Sequence, residues 1–283
     1  MQISSSKTLN HFARIVVLSS IALSNYSASV AQGNLLISPR RIVFDGSKGT
    51  QELNLANTGR DTAKYVVSVV QMRMKEDGNF EQIEKPDAGQ NFADGNMRIF
   101  PRTVTLAPNE AQVVKVQVTK YSSLASGEYR SHIYFRAVPK AKPLGEQSPN
   151  DSSIKVELVP VFGITVPCII RVGQSNTNVN VANLAVTPKD DGAQLMMNLN
   201  RSGNMSVYGD IIVEHVSAGG ASTQVAMAKG VAIYTPNASR SFSIVLNKGT
   251  DIHSGKLLVK YVEQTEKSKG TGKIIAESSM ALN

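Results

Sequence analysis

The sequence predicts an all-β fold, arranged as two successive β-sandwiches, on three observations. Helical periodicity is almost absent after the first thirty residues. Short runs rich in Val, Ile, Tyr and Thr take its place, and Gly, Asn, Asp and Pro interrupt them every ten residues or so. That rhythm of strand and turn belongs to sandwiches and barrels.

The elements follow in order. The first half predicts strands at 35–44 (LLISPRRIVF), 51–56, 64–74 (KYVVSVVQMRM), 97–100, 112–119, 129–138 and 154–170. Asp45-Gly46, Asn57-Thr58-Gly59 and Pro108-Asn109 supply turns, because these residues tolerate or pre-form tight backbone bends. Seven strands make one immunoglobulin-like unit. The second half predicts seven more: 178–187, 193–200, 208–216, 223–233, 240–246, 256–263 and 273–281, with turns at Asp190-Asp191-Gly192, Gly219-Gly220 and Lys269–Gly272. The expected fold class is therefore all-β, with two immunoglobulin-like β-sandwich domains. The join at Arg171–Asn176 is short, which predicts a fairly fixed angle between them.

Residues 1–31 read as a secretory signal peptide and not as fold. Lys7 and Arg14 precede the apolar run Ile15–Leu23, and Ser29-Val30-Ala31 is a small-x-small cleavage site. The apolar run is too short to span a bilayer, which takes about 20 residues. The residue after the cut is Gln32, not the Cys of a lipoprotein. The expected product is exported to the periplasm without membrane insertion, with sandwich domains over 32–171 and 172–283. Loss of Lys7 and Arg14, with no acid, takes the formal charge from +8 to +6. The cations are scattered singly, which argues against nucleic acid as a partner. One cysteine, Cys168, excludes an internal disulfide and reads as a small buried hydrophobe.

Nothing nominates a reaction. His132, His215 and His253 lack metal-ligand spacing, and a surface or hydrogen-bonded role is expected for His132 and His215. No nucleophile elbow, Walker loop or dinucleotide fingerprint is present, and Gly270-Thr271-Gly272 joins two strands. The sequence calls for no catalytic residue, no cofactor and no metal. The polar stretch 140–153 (KAKPLGEQSPNDSS) stands as either a functional loop or a tolerated insertion.

The informative segment is Ile154–Val166 (IKVELVPVFGITV). Its even positions, Ile154, Val156, Leu158, Pro160, Phe162, Ile164 and Val166, form one continuous apolar face. Pro160 cannot donate to a ladder and points to an edge strand. An apolar edge strand beside a polar loop invites pairing with another chain unless something covers it. Two readings stay open on pattern alone: a face offered to a partner, or a half-buried strand filling its own core.

Three segments resemble the periplasmic chaperones of the chaperone–usher pathway of pilus and fimbria assembly. Arg41–Gly46 (RIVFDG) is similar to their first-strand motif. Residues 101–118 (PRTVTLAPNEAQVVKVQV) are similar to their proline, Leu-x-Pro turn and alternating strand. Residues 128–139 (EYRSHIYFRAVP) are similar to their signature strand. The likeness covers the first sandwich; the second matches in size and strand richness only. The resemblance implies donor-strand complementation, in which a strand of the chaperone completes the open sheet of a pilus subunit. The donor residues implied are Ile154, Val156, Leu158, Pro160 and Phe162. The partners implied are pilus or fimbrial subunits and an outer-membrane usher, with self-association through the same strand. It also implies that Arg41 holds the C-terminal carboxylate of the subunit. The family's lysine partner has no match, since Thr165 or Pro167 stands there, leaving Arg41 alone or with Arg40 or Arg171. Arg130 and Arg136 depart from the usual signature strand. The competing expectation is an envelope structural or adhesive module of the same architecture.

Overall fold

A computed structural model describes residues 34–139, 161–189, 192–264 and 272–282. The expected signal peptide 1–31, the polar stretch 140–153, and Ile154, Val156, Leu158 and Pro160 lie outside the described residues. Residues 35–283 group as one compact unit.

Ten strands build the first sandwich: β1 (Leu35–Ser38), β2 (Ile42–Phe44), β3 (Thr50–Asn57), β4 (Ala63–Met74), β5 (Phe80–Ile83), β6 (Met97–Phe100), β7 (Thr103–Leu106), β8 (Ala111–Val118), β9 (Gly127–Ala137) and β10 (Gly163–Val172). One sheet has the order β1-β3-β8-β6 and the other β2-β10-β9-β4-β5, with β7 also on β4. Alternation along the strands sends Leu53, Leu55, Val114, Val116, Ile133, Phe135, Cys168 and Ile170 into one core between the sheets.

The expected single strand 35–44 is instead two. The cis Ser38-Pro39 bond interrupts it. β1 pairs antiparallel with β3, whereas β2 crosses to the opposite sheet and pairs parallel with β10. Proline removes a ladder donor, so the chain changes sheets there instead of continuing. Two strands, β5 and β7, were not anticipated by the alternation. The expected turns hold at Gly46 and Asn109, both at positive φ.

Seven further strands form the second sandwich: β11 (Asn178–Lys189), β12 (Gly192–Ser202), β13 (Val207–Val216), β14 (Ser222–Ile233), β15 (Ser239–Val245), β16 (Lys256–Glu263) and β17 (Ile274–Ala281). They make the sheets β11-β12-β15 and β14-β13-β16-β17 around Leu195, Leu199, Ile211, Val213, Leu257, Val259 and Tyr261. The architecture is all-β and immunoglobulin-like in both halves.

The join is tied down. Asn176 and Asn204 exchange backbone-to-side-chain bonds of 3.0 and 2.9 Å. The β4–β5 hairpin reaches the second sandwich through Ser241 N–H donating to Glu76 O at 2.8 Å and Asn237 Nδ2 donating to Met74 O at 2.8 Å. A satellite cluster of Met74, Ile169, Ala232 and Tyr234, flanked by Val43 and Tyr208, fills the seam.

Candidate functional site: an open strand edge above a cationic seam

β10 carries both halves of the site because its two ends are paired differently. Along one edge it pairs with β9 over its whole length, from Gly163 opposite Arg136 to Val172 opposite Gly127. Along the other edge β2 covers only Cys168, Ile169 and Ile170. Gly163–Pro167 therefore has no ladder neighbour on that side among the described residues. Ala137 N–H donates to Phe162 O at 2.9 Å, so even-numbered peptide groups turn toward β9. Alternation then aims the groups of Gly163, Thr165 and Pro167 at the open edge.

The side chains change along the same axis. Phe162 is 47% exposed and Ile164 36%, whereas Val166 on the same face is 2% exposed and belongs to the first core. The apolar even face is thus split among the described residues: it fills its own sandwich from Val166 onward and is exposed at Phe162 and Ile164. Gly163 matters locally, since a Cβ there would meet the Tyr134 ring at 2.1 Å. A side chain at 163 would have to push that ring aside to keep the strand against β9.

The buried end of β10 faces the second sandwich. β9 alternates Glu128, Arg130 and His132 on the face opposite Ser131, Ile133 and Phe135, and all six are buried. Burying three ionisable groups in a row is costly unless each finds a partner. Glu128 succeeds: it accepts from Arg171 Nε at 3.1 Å and Ser206 N at 3.0 Å, and from Ser206 Oγ, while Thr235 Oγ1 lies 3.4 Å away. Arg171 also donates to Ser206 O at 2.6 Å. These bonds fix the two sandwiches against each other.

Arg41 and Arg130 are provided for differently. The Arg41 guanidinium lies 4.4 Å from the centre of the Tyr208 ring and 6.0 Å from that of Tyr234; Arg130 lies 4.6 Å from Tyr234. Among the described residues the Arg130 guanidinium donates once, to Thr235 O at 3.2 Å. Nε and Nη2 of Arg41, and Nε and Nη1 of Arg130, are buried with no hydrogen-bond acceptor among the described residues. Burial pushes both guanidinium pKa values down, and each is lowered further by a neighbouring cation.

His132 corrects an expectation. It is neither at the surface nor fully hydrogen-bonded: it is buried, its Nδ1 has no partner among the described residues, and Phe80 packs edge-on against its ring at 5.4 Å. Burial, with Arg130 beside it, lowers its pKa to about 3, so it is neutral. His215 Nε2 lies 2.8 Å from Ser254 O, as a hydrogen-bonded histidine should. Cys168 is buried, and desolvation raises its thiol pKa to about 12. No group of three or more His, Cys, Asp or Glu suited to a metal occurs among the described residues.

Of the residues singled out from sequence, the structure places Arg41 in the seam and Phe162 at the head of the open edge. Arg130, Tyr208, Tyr234 and Glu128 were missed as seam residues. The available signal was the even-numbered polar series on an otherwise apolar strand.

No protein-family model matches the sequence, and no curated protein matches it significantly. Among solved structures the chain is similar to the class 5 fimbriae chaperone CfaA, at 13% identity and a TM-score of 0.44, over 88% of this chain and 99% of that one. It is similar to the YadV chaperone at 13% identity and 0.43, over 88% and 100%. To the SafB chaperone in complex with the Salmonella enterica SafA pilin the figures are 12% and 0.39, over 88% and 96%.

Proposed function

We propose that this chain is a periplasmic chaperone that holds pilus or fimbrial subunits by lending them a β-strand and delivers them to an outer-membrane usher. The observation that carries this reading is the edge of β10 from Gly163 to Pro167, which has no partner among the described residues and is headed by exposed Val161, Phe162 and Ile164. Solvent-exposed apolar side chains beside free backbone donors and acceptors are what strand addition requires: the main chain supplies affinity and alternate side chains supply fit. Ile154, Val156, Leu158 and Pro160 extend the same even face by sequence, with Phe162 continuing it. Arg41 takes the C-terminal carboxylate of the subunit, for which its unpaired guanidinium donors are suited. The role is binding and not catalysis, and it uses no nucleotide.

The test is capture from periplasm. The tagged chain should copurify with exported subunits encoded near it, and Phe162→Asp, Leu158→Asp and Arg41→Ala should each reduce the yield at least about tenfold. Undiminished capture by all three would overturn the assignment and favour an envelope structural module.

A further inference from the structure

We infer that Arg130 supplies the second positive charge of a carboxylate-binding pair whose first member is Arg41, in the seam between the two sandwiches. This rests on the proposed role of Arg41 and identifies what stands in for the lysine that the strand lacks. The case begins with a charge count. Arg41, Arg130 and Arg171 converge on the seam, and Glu128 is the acid whose field reaches both Arg41 and Arg130. The oxygens of Glu128 are already engaged by Arg171, Ser206 and Thr235. Two guanidinium charges therefore remain without an anion among the described residues.

The donors point the same way. Tyr234 lies under both guanidiniums, and Tyr208 under Arg41. A ring face attracts a cation but accepts none of its in-plane N–H bonds. Four such nitrogens are buried with no acceptor among the described residues, two on each arginine. On Arg41 the two, Nε and Nη2, share one edge of the guanidinium, which a planar carboxylate answers with two parallel bonds; on Arg130 Nε and Nη1 face different edges, so it adds charge and not a second fork. A singly charged carboxylate also loses less hydration than a phosphate dianion on entering a seam lined by Val43, Met74 and Ile169.

The two arginines do different work. Arg41 is half-buried and makes the contact. Arg130 is 2% exposed, held by Thr235 O in the turn between β14 and β15 of the second sandwich, and acts as a positioning residue through its charge and the shared tyrosine ring. The pairing of Arg130 with Ile169 and of Ile169 with Val43 brings it into the same seam as Arg41 across three neighbouring strands.

The experiment uses the chain from Gln32 onward and sodium acetate as the carboxylate probe, against sodium chloride at equal ionic strength. The Nε–H resonances of Arg41 and Arg130 are followed by NMR alongside the melting temperature. Both resonances should shift saturably with acetate and not with chloride. Arg130→Met should weaken acetate binding at least about tenfold, while Arg130→Lys should stay within about threefold of the parent. Arg130→Gln replaces the Met variant if that fails to fold, and the Arg130 resonance of the parent chain reads the site without any variant. Indifference of that resonance to acetate, or equal titration by the parent and the neutral variants, overturns the inference. A short peptide with a free α-carboxylate, its amide, and an amide carrying aspartate then separate a chain terminus from an acidic side chain as the source. Phe162→Asp should abolish subunit capture and leave the acetate response intact, so the strand reading and the cation pair fail independently.

Discussion

The two ends of β10 obey the same alternation and meet opposite environments. From Val166 to Ile170 the even side chains are sealed in the first core, and β2 and β9 flank the strand at Cys168–Ile170. At Phe162 and Ile164 the same face is exposed, and one backbone edge has no partner among the described residues. The difference does not come from local propensity, since both ends are apolar. It comes from β2, which is three residues long and begins only opposite Cys168. How much of a strand belongs to its own fold is set here by the length of its neighbour.

Substitutions at the buried end should be the most damaging. Glu128→Ala removes the buried acceptor of Ser206 and the carboxylate partner of the partly exposed Arg171, and is expected to cost about 2–4 kcal/mol, measured by urea denaturation. Ile170→Ala opens a cavity in the first core and should cost about 2–5 kcal/mol by the same assay. A cost below about 1 kcal/mol for both would show that the buried end is no firmer than the open one.

His132, opposite Pro167 where the strand passes from open to sealed, makes the comparison sensitive to pH. Its pKa is about 3 in the folded chain and near 6.5 in an unfolded one. Between those values the unfolded state binds the extra proton, so stability falls as pH is lowered, by up to about 1.4 kcal/mol per pH unit. Melting curves from pH 7 to 4 should be flatter for His132→Gln. Equal slopes would mean that the imidazole is not sealed. Arg41→Met keeps the stem and removes a cation with two unpaired buried donors. It should raise stability by about 1 kcal/mol in anion-poor buffer. At the open end, Ile164→Asp should change stability by less than about 0.5 kcal/mol, yet it should reduce subunit capture as strongly as Phe162→Asp.

Much of this fold was legible because a strand's period is short and its turns are chemically marked. Residues 97–100 and 256–263 coincide with β6 and β16. The run 35–44 misled because LLISP and RRIVF are both apolar enough to read as one strand, and Pro39 was the overlooked interruption. β5 was hidden because Phe-Glu-Gln-Ile alternates poorly and buries little. β7 was hidden because only Pro101 and Arg102 separate it from β6. The site divides likewise. Alternation pointed to Phe162 and Ile164, which are exposed, and the family resemblance pointed to Arg41, which lies in the seam. The seam itself could not be read from sequence: Tyr234 lies more than a hundred residues beyond Arg130 and nearly two hundred beyond Arg41, and only tertiary packing brings them together.

Pro167 gives the open edge a built-in terminus. Gly163 and Thr165 each turn a peptide N–H outward, but the next outward-facing residue has none to offer. One residue later β2 occupies the lane. Any strand added to this edge would lose its ladder there, so the edge offers two outward N–H donors over Gly163–Pro167 and then closes.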